Sequence, residues 1–139
     1  MTTERDLWKR LRPQFVKAGA YPIRIENAAN TSLPDVILVY PRKTVFIELK
    51  IIRSGRVYMP KYQFALAADL AGITDLFYLM AWWDRPKELH LWKYRDILPY
   101  VWGARGNYTT FFEVKDAKSI VVPDLLEWAK QWKGDDDGR

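Results

Sequence analysis

Two runs of branched and aromatic residues, separated by a short turn, constrain the fold of this 139-residue chain more than any other feature. The first run is Asp35–Tyr40, the second is Val45–Lys50, and Pro41–Thr44 between them is a turn sequence. This pattern predicts a β-hairpin whose side chains alternate between two faces. One face carries only apolar and aromatic residues and must pack beneath a helix: Val36, Leu38, Tyr40, Val45, Ile47 and Leu49.

The other face of the predicted hairpin gathers three charged side chains. If Tyr40 lies opposite Val45, then Asp35 lies opposite Lys50 and diagonally from Glu48. Diagonal neighbours across a strand pair are ~7–8 Å apart, which is close enough to share one ion. Charges in an apolar sheet are costly unless they are paired or bind a metal. Two carboxylates provide the hard oxygen ligands that suit Mg²⁺ or Mn²⁺, so the sequence predicts a divalent-metal site here.

The remaining chain alternates between helical and strand patterns. Helices are predicted over residues 3–18 with a stop at Gly19, from Pro60 to a stop at Gly72, and over Pro123–Trp132. Strands are predicted over Tyr21–Glu26, Thr74–Trp83, Glu88–Lys93 and Tyr108–Val114, with a basic loop at 53–59 and no clear pattern at 94–107. This order predicts an α/β sandwich, in which a mixed central β-sheet has flanking helices on both faces.

Length and composition narrow the class of protein. We expect one domain over residues 1–134 and a disordered acidic tail over residues 135–139. The absence of cysteine excludes disulfides, thiolate zinc sites and a cysteine nucleophile. No apolar run approaches the roughly 20 residues that span a bilayer, and the first residues are charged, so we expect a cytoplasmic protein with no membrane partner.

The net charge of +5 favours a polyanionic partner, most often nucleic acid. Five basic residues fall in loops that we expect beside the predicted metal site, and we interpret them as DNA contacts rather than as a merely solvated surface: Arg42, Lys43, Arg53, Arg56 and Lys61. His90, the only histidine, alternates with leucines and is predicted to be an exposed strand residue. A histidine-based active site is therefore not expected.

The segment Pro34-Asp35, a spacer of 12 residues, and Glu48-Leu49-Lys50 resemble the motif of the PD-(D/E)xK nuclease superfamily. The closer resemblance is to archaeal Holliday-junction resolvases and to VRR-NUC-type nucleases of phages and repair enzymes. It covers roughly residues 4–82 and rests on Ile25-Glu-Asn27, Ser32-Leu-Pro-Asp-Val36, Phe46-Ile-Glu-Leu-Lys50 and Gln63. A second Glu-x-Lys at Glu113-Val-Lys115 has no Pro-Asp upstream at the right distance, so we interpret it as an ordinary strand edge.

The resemblance implies a restriction-endonuclease-like fold and assigns roles to individual residues. It implies that Asp35 and Glu48 are metal ligands and that Lys50 is the catalytic lysine. It adds Glu4 on the first helix as a further metal ligand and Gln63 on the helix that follows the lysine strand. The implied cofactor is Mg²⁺ or Mn²⁺, and the implied activity is endonucleolytic hydrolysis of DNA phosphodiester bonds.

The substrate is the least constrained part of the interpretation, because a fold does not establish a substrate. By analogy with the resolvases we expect branched DNA, and a junction requires two active sites, so we expect a homodimer. The alternatives on the same fold are a nicking, restriction-like or flap nuclease, or an enzyme that acts on RNA. Another alternative is a non-catalytic nucleic-acid-binding module. The resemblance to phage nucleases leaves a phage origin open.

Overall fold

Four helices and eight strands are described by the computed structural model, which covers residues 3–25, 34–60, 64–101 and 108–134. The helices are α1 (Glu4–Lys17), α2 (Phe64–Ile73), α3 (Tyr94–Val101) and α4 (Leu125–Ala129), the last continued by a 3-10 turn at Lys130–Trp132. The strands are β1 (Tyr21–Arg24), β2 (Val36–Val39), β3 (Thr44–Ile51), β4 (Arg56–Tyr58), β5 (Phe77–Trp83), β6 (Glu88–Lys93), β7 (Phe111–Glu113) and β8 (Ile120–Val121).

The main sheet has six strands in the order β1-β2-β3-β5-β6-β8. Strands β3 and β5 pair in parallel, whereas the other neighbours in this sheet pair antiparallel. Strands β4 and β7 form a separate two-stranded antiparallel ribbon. The prediction of a mixed central sheet is therefore confirmed.

Apolar side chains cover both faces of the main sheet. On one face, helices α1 and α4 pack on the apolar side of the β2–β3 hairpin, where all six side chains of the predicted apolar face are at most 4% exposed. On the other face, helices α2 and α3 and the β4–β7 ribbon pack on Phe77, Leu79 and Ala81 of β5. Helices thus flank the sheet on both faces, as predicted. No helix in the described ranges has the length and hydropathy of a membrane span.

The register of the β2–β3 hairpin differs from the prediction by two residues. Val45 pairs with Leu38, and the Tyr40 amide donates to the Lys43 carbonyl at 2.9 Å, so the turn closes over two residues rather than four. Because side chains alternate with a period of two, this shift leaves the composition of each face unchanged. It does move Asp35, which stands level with Glu48 and not with Lys50.

The region between β3 and β4, predicted as a basic loop, is a tight hairpin. Arg53 and Arg56 exchange backbone hydrogen bonds of 3.0 and 2.9 Å across Ser54 and Gly55. Both turn residues have positive φ, 53° and 72°, as the two-residue turns that suit twisted strands require. The chain then continues into β4, whose partner β7 lies more than 50 residues later and could not be predicted from local pattern.

Helix α1 begins and ends at well-defined caps. The Thr3 hydroxyl accepts a hydrogen bond from the Asp6 amide at 3.1 Å, which fixes Glu4 as the first residue of the helix. At the other end Gly19 has a φ of 91°, and the amides of Gly19 and Ala20 donate back to the last turn. The predicted stop at Gly19 is confirmed.

His90 is buried, and the prediction that it is exposed is wrong. Its side chain is on the face of β6 that turns toward the second core, 6% exposed, because β8 and the loop before it cover this edge. Nδ1 is 2.6 Å from the Ser119 hydroxyl and Nε2 is 3.1 Å from a Glu88 oxygen. These two partners satisfy both ring nitrogens, so His90 has a structural role.

Several predicted features lie outside the described residues. These are Lys61, Gln63, the motif residues between 26 and 33, and the acidic tail 135–139. Helix α2 is described from Phe64 and ends at Ile73, one residue beyond the predicted stop at Gly72.

Candidate functional site

Asp35 immediately precedes strand β2, and its side chain is hydrogen-bonded to the neighbouring strand. Its Oδ2 accepts a hydrogen bond from the Leu49 amide at 2.8 Å, and its carbonyl accepts one from the Ile25 amide at 2.8 Å. The backbone on both sides of β2 therefore holds Asp35. This fixes its carboxylate beside Glu48.

Glu48 is a buried carboxyl in the middle of the sheet, 5% exposed. Burial raises its pKa well above the usual value, and the negative charge of Asp35 raises it further, whereas Lys50 lowers it. A hydrogen bond with the Asp35 side chain favours the protonated form of Glu48, which places the two carboxyl groups in contact. The structure thus brings the two predicted metal ligands together.

Lys50 lies two residues further along β3, on the same face as Glu48, and is 7% exposed. Its strand neighbour on β5 is Ala81, whose small side chain adds no charge beside it. A buried lysine is rare unless it is paired. Here its charge acts on Glu48 and Glu4, so Lys50 serves as the cation of an acidic cluster.

Glu4 approaches this cluster from the first turn of α1. Burial raises its pKa, Lys50 lowers it, and Asp35 raises it; Arg24 and Arg53 make smaller contributions that lower it. Among residues 3–25, 34–60, 64–101 and 108–134, however, no three acidic or histidine side chains converge tightly enough to form a metal-ligand group. Glu4 therefore stands beside the Asp35–Glu48 pair without completing a ligand triad.

Arg24 was not predicted as a site residue, although the structure places its charge near Glu4. Its guanidinium is 6.0 Å from the centre of the Trp8 ring. Within the described part of the chain, its Nε and Nη1 are buried and make no hydrogen bond. Buried donors without an acceptor are costly, so these atoms are candidates to bind an anionic group that the described residues do not supply.

Tyr94, at the start of α3, forms part of the wall behind Glu48. It is 1% exposed and stacks on Phe77 with a centroid distance of 4.3 Å. Burial raises the pKa of its hydroxyl, and the charge of Glu48 raises it further. Tyr94 therefore stays neutral and contributes an apolar wall that lowers the local dielectric around the carboxylates. No sequence pattern marked this residue.

The four described basic residues that were predicted to contact DNA do not form one cluster. Arg53 is near enough to Glu4 to lower its pKa, and Arg56 is in the same tight turn. Arg42 and Lys43 are at the turn end of the β2–β3 hairpin, about 20 Å along the strand from Asp35 at ~3.3 Å per residue. The predicted location of these two residues beside the site is therefore wrong.

Glu113 and Lys115 form surface ion pairs. The Glu113 carboxylate is 3.2 Å from the Lys115 ammonium and 3.3 Å from Arg56 Nε. A hydrogen bond with Lys115, and a second with Arg56, lowers the pKa of Glu113. This environment is the opposite of that of Glu48, whose pKa is raised. The second Glu-x-Lys therefore differs physically from the first.

The residues present fit a divalent cation. Asp35 and Glu48 are hard oxygen donors in contact with each other, and their mutual repulsion is what a cation of charge two would relieve. Mg²⁺ commonly uses one or two carboxylates and keeps several waters, so a two-carboxylate site is sufficient.

Comparison with known proteins supports the fold. No protein-family model matches the chain, and no curated protein matches it significantly. Among solved structures, the chain is similar to Hjc from the archaeal hyperthermophile Archaeoglobus fulgidus, a Holliday junction resolvase, with a TM-score of 0.56 and 19% sequence identity. The match covers 90% of this chain and 98% of the resolvase chain. The mixed sheet with helices on both faces is therefore a Holliday-junction-resolvase-like fold.

Proposed function

We propose that this protein is a metal-dependent deoxyribonuclease that cleaves DNA phosphodiester bonds endonucleolytically, with branched DNA as its substrate. The observation that carries this proposal is the contact between the buried carboxyl group of Glu48 and that of Asp35, with Lys50 on the same face. Such a cluster costs folding stability, so it implies a chemical task. The resolvase-like fold and the basic charge of the chain support DNA as the substrate.

In this proposal each residue of the cluster has a separate role. Asp35 and Glu48 bind Mg²⁺ or Mn²⁺, and the backbone hydrogen bond from Leu49 keeps Asp35 oriented for it. The bound cation would supply Lewis acidity and make water a stronger nucleophile near neutral pH. Lys50 stabilises the negative charge that develops on the attacked phosphate and orients the attacking water.

The surrounding residues position the substrate. Arg24 offers two buried nitrogens to a phosphate oxygen, and Glu4 assists metal binding from α1. Gln63 remains a proposed active-site residue on the strength of the motif alone. We propose DNA contacts for Arg53 and Arg56 next to the site, and for Lys61, whereas Arg42 and Lys43 would contact DNA at a distance from it.

The proposal of a branched substrate carries a proposal about assembly. A four-way junction has two strands to cut, so two copies of the site are needed, and a two-fold homodimer supplies them. A nicking or flap nuclease would need only one active site.

Cleavage of supercoiled plasmid and of labelled linear, flap and four-way DNA tests the function directly. We expect cleavage in Mg²⁺ or Mn²⁺, binding without cleavage in Ca²⁺, and no cleavage in EDTA. Glu48→Gln should lose metal binding and cleavage together, whereas Lys50→Met should lose only cleavage. Glu127→Gln removes an exposed carboxylate on α4 and is the matched control that should cut normally.

The possible results separate the alternatives. Full cleavage in EDTA rejects a metal mechanism. DNA binding without cleavage in any metal identifies a non-catalytic binding module. Cleavage by Lys50→Met at the wild-type rate would remove Lys50 from the mechanism, and cleavage by Glu48→Gln at the wild-type rate would show that the active site is elsewhere. Equal cleavage of linear and four-way DNA would reject a branched substrate but not the nuclease.

A further inference from the structure

The β4–β7 ribbon presents an aromatic and cationic face to solvent next to the candidate site. We define this ribbon face by Arg56, Tyr58 and Phe111. The rings of Tyr58 and Phe111 are 5.8 Å apart, and the Arg56 guanidinium is 4.4 Å from the centre of the Phe111 ring. Tyr58 is 42% exposed and the Arg56 side chain is 40% exposed.

The opposite side of the ribbon is firmly packed. Val57 and Phe112, which pair with each other across the ribbon, are 0% and 4% exposed within the second core. The Met59 amide also donates to the Thr110 carbonyl at 2.7 Å, beyond the last ladder pair. The ribbon face is therefore a rigid surface with its aromatic side chains fixed toward solvent.

Arg56 is held in place by its neighbours on this face. Hydrogen bonds with Tyr58 and with Glu113, in that order, raise the pKa of Arg56, and the distance from Nε to Glu113 Oε1 is 3.3 Å. The guanidinium is thus oriented over the Phe111 ring before any partner binds. Pre-orientation of this kind lowers the entropy that binding would cost.

The ribbon face also lies close to the carboxylates. The chain leads from Lys50 to Arg53 in three residues, and the two-residue turn brings Arg56 next to Arg53, whose charge acts on Glu4. At ~3.3 Å per strand residue, Arg53 is ~10 Å along the chain from Lys50, and the turn places Arg56 beside Arg53. With a rise of ~3.4 Å per nucleotide, that distance corresponds to about three nucleotides.

Charge favours DNA over an apolar partner on this face. Arg56 and Lys115 are positive and share the single negative charge of Glu113, and Arg53 adds a further positive charge from the adjoining turn. A basic rim around aromatic rings at the surface is the combination with which proteins bind single-stranded nucleic acid: cations meet phosphates and rings stack on bases. A protein partner for the same face is an alternative that the binding measurements distinguish.

We propose that Tyr58 and Phe111 stack on an unpaired DNA base about three nucleotides from the cleaved bond, with Arg56 at the adjacent phosphate. The distance to the cleaved bond rests on the proposed function, whereas base stacking does not. In continuous duplex the faces of the bases are already stacked on each other. The substrate class is therefore DNA with unpaired bases next to the cut, as at a flap, a gap or a branch point whose base pairs have opened.

Binding in EDTA tests the stacking independently of cleavage. The probes are a fluorescein-labelled duplex and the same duplex with a three-nucleotide gap that contains the fluorescent base 2-aminopurine. We expect the wild type to prefer the gapped DNA and to quench the 2-aminopurine on binding. Tyr58→Leu should weaken gapped binding by about 5- to 150-fold and remove the quenching, with little change for duplex.

Matched variants separate stacking from folding. Tyr21 is an exposed strand tyrosine, 71% exposed, at the far end of the hairpin from the carboxylates, so Tyr21→Leu should behave as the wild type. Tyr58→Trp keeps a large ring and should retain the quenching. Equal affinity of the wild type for both DNAs overturns the proposal. So does a Tyr58→Leu protein that binds and quenches as Tyr21→Leu does, in which case the face serves a protein partner.

The two proposals fail in different ways. Tyr58-dependent binding and quenching without cleavage of any DNA in Mg²⁺ supports base stacking and rejects the nuclease. Cleavage of duplex and gapped DNA at rates that Tyr58→Leu leaves unchanged supports the nuclease and rejects base stacking.

Discussion

Glu48→Gln removes one charge from the candidate site while it keeps the size of the side chain. When Glu48 and Asp35 are both ionised, two unit charges about 4 Å apart would repel each other by about 4 kcal/mol at an effective dielectric constant of about 20, which is why the pKa of Glu48 is raised. The charge of Lys50 offsets part of this repulsion, and the amide of the introduced glutamine can donate to Asp35. We therefore expect the variant to be more stable than the wild type in EDTA by about 2 kcal/mol, within the range of such replacements.

Mg²⁺ should reverse this order of stability, so that the wild type becomes more stable than Glu48→Gln. A ligand at about 100 times its dissociation constant stabilises a folded protein by about 2.7 kcal/mol, provided that the unfolded chain does not bind it. In excess Mg²⁺ the wild type should gain this amount and the variant little of it. For a domain of this size about 2 kcal/mol corresponds to about 6–10 °C in melting temperature, which scanning calorimetry resolves easily.

The pH dependence provides a second, independent readout. The folded state binds the Glu48 proton more tightly than the unfolded state, because burial first and Asp35 second raise its pKa above 4.5. In EDTA the wild type should therefore lose stability relative to the variant as pH rises from 4.5 through the folded pKa. Below that range the two proteins should melt alike.

Glu127→Gln, which changes an exposed carboxylate on α4, should follow the wild type under both conditions. Equal melting temperatures of wild type and Glu48→Gln in EDTA near neutral pH, with an equal rise of both in Mg²⁺, would refute this account of the site. That result would mean that Asp35 and Glu48 neither repel each other nor bind a common ion.

Three further predictions address other parts of the molecule. Lys50→Met should retain the Mg²⁺-induced rise in melting temperature while single-turnover cleavage falls by ~10²–10³, and normal cleavage would remove Lys50 from the mechanism. Arg53→Ala should reduce the salt dependence of DNA binding by about 0.9 in the log–log slope for each phosphate that Arg53 neutralises, whereas Lys130→Ala in the 3-10 turn after α4 should not. Tyr40→Phe removes the buried 2.7 Å hydrogen bond to the Ala129 carbonyl, so it should cost about 1–2 kcal/mol in chemical denaturation without changing the cleavage rate.

The hairpin was predictable because its signal is local. Alternation over Asp35–Tyr40 and Val45–Lys50 determined which side chains share a face, and a two-residue shift in register does not alter that assignment. The register itself depends on the turn, and Pro41-Arg42-Lys43-Thr44 is compatible with a two- or four-residue loop. The charged cluster was therefore predicted with the right members but the wrong partner for Asp35.

Features that arise from contacts between segments far apart in the chain were not predicted from the sequence. The β4–β7 ribbon joins strands more than 50 residues apart, and each strand has only three residues, too few for a visible alternation. His90 is buried because Ser119 and β8 cover it, and nothing near residue 90 indicates that cover. Helix α3 contains Pro99 and only eight residues, which weakens its helical pattern.

Arg24 illustrates a different limit of prediction from sequence. An arginine in a short edge strand normally indicates an exposed position, but Arg24 is partly buried and its guanidinium is 6.0 Å from the Trp8 ring on a helix that precedes it. That two of its nitrogens have no partner among the described residues becomes visible only when the packing is known. Sequence pattern carries no information of this kind.

The net charge of the candidate site links metal binding to DNA binding. Glu4, Asp35 and Glu48 together contribute up to three negative charges, and Lys50 is the cation whose charge lowers the pKa of both Glu4 and Glu48. One divalent cation would bring this cluster to neutrality. Arg24 and Arg53, at its margin, would then be available to the single negative charge of a phosphodiester. Without the metal, the same arginines are drawn toward Glu4, so metal binding and DNA binding should strengthen each other.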